Sequence, residues 1–189
     1  MDRLNRFILI ASVLLGSWLG MEAIHESGHV LGAWFTGGHV VRVVLHPLAI
    51  SRTDVNPNPR PLIVVWAGPI FGVLSPLLLW GVAAALRCSG AFVLRFFAGF
   101  CLIANGAYIG TGSFGRIGDC GVMLGHGSPI WQLWLFGAAT VPAGFFLWHR
   151  QAKFFGLGPN GNRVSRRAAF ASLLAFIALF AAAWIIDGR

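Results

Sequence analysis

The residues His25-Glu26-Ser27-Gly28-His29 form the pattern HExxH. On a helix, positions i and i+4 share a face, so the two imidazoles can hold one zinc ion between them. Glu26 lies beside them on the helical wheel. There it can take a proton from an activated water and later pass it to a leaving amine. With six histidines and two glutamates in 189 residues, the pattern is expected by chance about 0.002 times per chain. The plainer alternative is a pair of hydrogen-bonded core histidines beside a neutral glutamate. The surroundings weigh against it: the motif ends a long apolar run, where three ionisable groups are costly and usually functional.

A catalytic zinc takes three protein ligands and keeps one position open. The third ligand must come from elsewhere, and the candidates are Asp54, Asp119, Cys120, His39, His46 and His126. Asp119 is the preferred one. It follows GRIG and precedes CGVML, so it sits at a glycine-flanked turn entering an apolar stretch. Aspartate is equally a favoured helix N-cap, and the residues alone leave ligand and cap open. Glu22, one turn before Glu26, is placed either to accept an imidazole N–H and orient a ligand or to serve as an interfacial carboxylate.

The elements that must position these groups are apolar. The chain is 57% hydrophobic and 11% charged, with a mean hydropathy of +0.74. A soluble domain of this length needs more charge to cover its surface. Five stretches reach the ~20 apolar residues that a membrane crossing requires: Leu4 to Phe35, Pro61 to Leu86, Ala91 to Ile109, Pro129 to Trp148 and Ala168 to Ile186. The first exceeds one bilayer crossing and is expected to tilt, or to kink near Gly16 or Gly20. Trp66, Trp80, Trp131, Trp134, Trp148 and Trp184 fall in these stretches, several near the ends, as interfacial anchors do. The expected fold is an all-α polytopic membrane protein of about five transmembrane helices in one domain, 1–189, with a short β-hairpin after the first helix.

That hairpin is read from HVVRVVLHPLAI, rich in β-branched residues and preceded by Gly37-Gly38. NPNPRP then turns the chain into the second span. Unpaired backbone is costly in lipid, so the hairpin must lie at the interface or line a protein cavity. The alternative reading of the N-terminus as a signal peptide finds no small-x-small cleavage site, and cleavage there would cut the helix that carries the motif.

The net charge of +8 sits between and beside the apolar blocks, a pattern that serves anionic headgroups rather than nucleic acid. With five crossings, Arg3, Arg6, Arg87, Arg150, Lys153, Arg163, Arg166 and Arg167 share one face, and Arg42, Arg52, Arg60, Arg116 and Arg189 the other. Eight against five favours a cytoplasmic N-terminus. Cys88, Cys101 and Cys120 are odd in number, and no disulfide framework follows.

HESGH in a long first span, then GGHVVRVVLHPL, then WAGPIFG, then a distal Gly-Asp-x-Gly, resembles the site-2 protease family of intramembrane zinc metalloproteases. The likeness is to small bacterial members with about five spans and no PDZ or CBS domain, and it covers the chain up to about Leu124. The resemblance implies one zinc ion held by His25, His29 and Asp119, with Glu26 as the catalytic glutamate. It implies a membrane-embedded protein substrate paired with a strand formed by His39 to Leu48, and location in the bacterial cell membrane. It also implies an HExxH helix ending towards the cytosol, opposite to the charge count. Two departures stand out. Gly118 precedes Asp119 where larger members have leucine. The family pattern AGPxxN reads Ala67-Gly68-Pro69-Ile70-Phe71-Gly72, with glycine in place of an asparagine thought to help hold substrate or the oxyanion. Asn105, in the third span, is a substitute for it or simply an interhelical hydrogen-bonding residue.

Two other functions fit parts of the pattern. A non-catalytic zinc-binding scaffold is favoured by Gly72 and disfavoured by Glu26, which a purely structural site does not need. A transporter requires polar groups at mid-depth in several spans, and the third, fourth and fifth spans lack acidic residues.

Overall fold

The computed structural model describes residues 2–48, 50–159 and 161–187. Ala49, at the end of the expected strand, and Arg189, in the charge count, lie outside the described residues. Among the described residues there are six α-helices, one two-stranded sheet and a short 3-10 helix at Ala152–Phe155: α1 Asp2–Thr36, β1 Val40–Val44, β2 Arg52–Val55, α2 Pro61–Ala85, α3 Ala91–Gly115, α4 Gly118–Gly125, α5 Ile130–Trp148 and α6 Arg166–Asp187. Of the α-helices, all but α4 are long and apolar enough to cross a membrane.

The five apolar stretches thus return as five helices, with differences at their ends. The third runs on past Ile109 to Gly115. α1 is one continuous helix through Gly16 and Gly20, so its length is accommodated without a break. At ~1.5 Å per residue its 35 residues span about 52 Å. The hairpin is present as β1 paired antiparallel with β2, Val43 opposite Thr53 and Val44 opposite Arg52. The Asn/Pro stretch follows β2 and delivers Pro61 to the first position of α2, where its missing N–H costs nothing.

Small residues set how closely the helices pack. A Cβ on Gly28 would meet the backbone of Ala67 and Gly68, and one on Gly32 would meet Ala67 Cβ, so α1 and α2 touch backbone to backbone. Gly137 and Gly144 on α5 lie against Gly106 and Gly99 on α3 in the same way. Where lipid tails are as apolar as leucine, such close approach is what favours helix association. Large apolar side chains point outwards, among them Leu78, Phe146 and Leu174, each more than 60% exposed. α6 lies alongside α1, joined to it by Ser12 Oγ to Ser172 Oγ at 2.7 Å, and its far end packs Trp184 against His46 of the hairpin loop.

Candidate metal centre

Helix α1 carries His25, Glu26 and His29 on its buried face. Gly68 of α2 gives one imidazole its room, since a Cβ there would fall on the His29 ring. The carbonyl of Val64 in α2 accepts a hydrogen bond from His29 Nδ1 at 2.8 Å. From α3, Asn105 Oδ1 accepts from His25 Nδ1 at 2.6 Å, while Asn105 Nδ2 donates to Cys101 O at 2.9 Å. The amide orientation is consistent, because the carbonyl oxygen of Cys101 can take only a donor.

Both Nδ1 atoms face oxygen acceptors, so both carry their protons and both Nε2 atoms present lone pairs. These Nε2 atoms lie 3.0 Å apart. Asp119 Oδ2 is 2.9 Å from His25 Nε2 and 3.4 Å from His29 Nε2. Three lone-pair donors therefore converge on one point, a set that only protons or a cation satisfies. Tetrahedral zinc with bonds of ~2.0–2.2 Å separates its ligand atoms by about 3.3–3.6 Å. The 3.4 Å spacing lies within that range and the other two, at 3.0 and 2.9 Å, are somewhat shorter. The donor set, two imidazoles and a carboxylate with an open side, is one that can hold a zinc ion.

Asp119 reaches the histidines from α4, which the sequence reading treated only as a turn entering an apolar stretch. Ile117 is the N-cap of this helix, and Asp119 lies within its first turn, so the capping alternative does not describe the structure. The main-chain N–H of Asp119 donates to the Tyr108 hydroxyl at 3.0 Å, fixing α4 over the end of α3. Gly118 has φ +54, and a Cβ there would strike the Tyr108 hydroxyl. A leucine is excluded at this position on both counts. Burial pushes the Asp119 carboxyl up, but when the imidazoles of His25 and His29 carry protons on Nε2 they hold it well below the usual carboxylate range.

Glu26 is 3% exposed and accepts a hydrogen bond from Thr53 Oγ1 of β2 at 2.7 Å. The hairpin is thus tied directly to the glutamate. His25, Glu26, His29, Asp119, Asn105 and Thr53 all line one open cavity of about 900 Å³, as does Glu22. Glu22 is not the acceptor that orients an imidazole: Asn105 and the Val64 carbonyl fill both places.

The remaining candidate ligands are held elsewhere. Asp54 faces Arg52 on the hairpin at 3.4 Å, and Cys120 Sγ points at the carbonyl of Ile109. His46 packs against Trp184 with the rings tilted, and His126 Nδ1 turns back to Val122 O. His39 extends the hairpin ladder through its backbone, pairing with Asn56 and Pro57.

The Asn105 amide oxygen and one of its two N–H donors are engaged inside the protein, by His25 and Cys101. A Cβ on Gly72 would lie 2.9 Å from Asn105 Oδ1. Glycine at 72 therefore makes the space that the Asn105 side chain fills beside His25. Sequence reasoning missed Thr53, the Val64 carbonyl and Tyr108. Only Tyr108 carried a signal, as the single tyrosine of the chain within an apolar span.

Comparison of the chain with protein-family models, with curated proteins and with solved structures gives no match.

Proposed function

We propose that the chain is a zinc-dependent intramembrane endopeptidase of the site-2 protease type, a multi-pass protein of the bacterial cell membrane. The observation that carries this reading is the convergence of His25 Nε2, His29 Nε2 and Asp119 Oδ2 beside a buried glutamate in an open cavity. Those three residues would hold one Zn2+. When bound there, zinc supplies a Lewis acid that acidifies a water towards a pKa of about 7 and favours negative charge on a scissile carbonyl oxygen.

The chain's own residues do the rest. The Glu26 carboxylate accepts a proton from water in the cavity and returns it to the leaving amine. Thr53 Oγ1 holds one Glu26 oxygen, leaving the other for proton transfer. Asn105 and Val64 keep both imidazoles in the tautomer that presents Nε2. The hairpin forms one wall of the cavity through residues from Ile50 to Asn56, and a membrane-embedded protein substrate, unwound locally, would meet that strand.

A second reading is supported by Asn105. Its amide oxygen and one N–H are committed to His25 and Cys101, and Gly72 offers no side chain. A zinc-binding scaffold without hydrolytic activity would tolerate that loss of an oxyanion donor. The two readings separate in proteoliposomes holding zinc-loaded protein and a panel of reporter peptides whose single membrane span contains helix-breaking residues. Cleavage by the wild type that disappears in Glu26→Gln is the expected result. Equal cleavage by both would remove Glu26 from the chemistry. Zinc-loaded wild type inert across the panel would favour the scaffold.

A further inference from the structure

Four carboxylates line the cavity of the metal centre: Glu22, Glu26, Asp54 and Asp119. Three of them are engaged inside the protein. Thr53 Oγ1 donates to Glu26, Arg52 Nε stands 3.4 Å from Asp54, and Asp119 meets His25 and His29. Glu22 is the exception: no hydrogen-bond donor or paired cation reaches it among the described residues. It is 6% exposed, and it turns that small accessible part to the cavity. Its place within α1, 14 residues before Thr36, is not that of an interfacial carboxylate. A buried carboxylate without a partner is costly in an apolar span and marks a functional position. Arg52 is the single Lys or Arg lining the cavity. Arg52 and one Zn2+ together still leave one negative charge over from the four carboxylates.

We infer that Glu22 forms a specificity subsite for a basic side chain, lysine or arginine, of the membrane-embedded substrate; this rests on the reading of the cavity as the place where substrate binds. Trp18, one helical turn before Glu22, and Met21 beside it also line the cavity. They offer an apolar wall to the methylene stem of such a residue while the carboxylate takes its cationic head. A basic group inside a membrane span is itself costly. Pairing it with Glu22 replaces two uncompensated charges by one hydrogen-bonded pair. Glu22 precedes His25 by three residues, about 4.5 Å along the helix axis. An extended peptide rises ~3.3 Å per residue, so the basic residue lies within about two residues of the scissile bond. Glu22 thus selects the substrate and leaves proton transfer to Glu26.

The test is a binding titration of zinc-loaded, full-length protein in detergent micelles. The probes are fluorescent single-span peptides with helix-breaking residues, identical except at one position near the break, which is scanned on both sides of it. That position carries lysine, norleucine or glutamate. At one or two positions the wild type should bind the lysine peptide about 10-fold or more tighter than the norleucine peptide, the scale of one hydrogen bond to a charged group. The glutamate peptide should bind more weakly than the norleucine one. Glu22→Gln keeps the shape, removes the charge and breaks no hydrogen bond, so its thermal unfolding should match the wild type. It should bind the norleucine peptide as the wild type does and show no preference for lysine. A wild type indifferent to lysine at every position, or a Glu22→Gln protein that keeps the preference, would overturn the subsite. Binding is read without cleavage, so the two readings fail separately. A lysine preference that Glu22→Gln abolishes, without any cleavage, keeps the subsite and removes the endopeptidase; cleavage indifferent to lysine does the reverse.

Discussion

Gly68→Ala is the substitution that the geometry of the metal centre makes most specific. A Cβ at Gly68 would overlap His29 Cε1 and Nε2 and stand 2.9 Å from Cδ2. Carbon atoms in ordinary contact sit at about 3.5–4.0 Å, so the ring must retreat by roughly 1 Å. Metal–ligand distances tolerate only about ±0.2 Å. The imidazole therefore leaves the ligand set, and its hydrogen bond to Val64 O goes with it. Disturbing only a residue that orients a ligand typically costs 10–100-fold in metal affinity, and removing the ligand itself should cost at least about 100-fold. Overpacking adds a stability loss of about 1–3 kcal/mol. The assay is zinc competition against a chelator on detergent-purified protein, with thermal unfolding in parallel. Gly81→Ala is the control, since nothing lies within 4 Å of a Cβ there. A folded Gly68→Ala protein that keeps zinc with wild-type affinity would refute the placement of the His29 ring.

Two further outcomes follow from the same contacts. Asn105→Ala removes the acceptor for His25 Nδ1 and should weaken zinc binding by about 10–100-fold, measured in the same competition; unchanged affinity would mean that His25 keeps its tautomer without help. Zinc should be released as pH falls, because the imidazoles must be neutral to bind. Asp119, held below the usual carboxylate range, stays ionised throughout that descent, so release should track histidine protonation. Zinc retained at pH values where histidines are protonated would argue against imidazole ligation.

The five apolar helices were legible because lipid imposes a length and composition that ordinary periodicity does not blur. The HExxH face was legible because its two histidines are local on one helix. The hairpin was visible in the β-branched run of β1, whereas β2, with the sequence Arg-Thr-Asp-Val, has no apolar alternation and is a strand because β1 pairs with it. The expected end of α3 at Ile109 fell short of Gly115 because Gly110 to Gly115 has the composition of a loop. Gly110 faces Gly137 and Trp134 Nε1 donates to Ser113 Oγ, so packing against α5 overrides weak propensity. Most of what orients the imidazoles of His25 and His29 was invisible for a different reason. The Val64 carbonyl is a main-chain atom, and the partnership of Gly72 with Asn105 joins residues 33 positions apart whose types betray nothing separately.

The claim on which the rest depends is that His25, His29 and Asp119 hold zinc while Glu26 does not. Zinc content of detergent-purified wild type, Asp119→Ala, His25→Ala and Glu26→Gln tests it directly. One zinc per chain in wild type and Glu26→Gln, and its loss in both alanine variants, is the expected result. Folded wild-type protein that takes up no zinc, or an Asp119→Ala protein that retains it, would contradict the three-ligand centre.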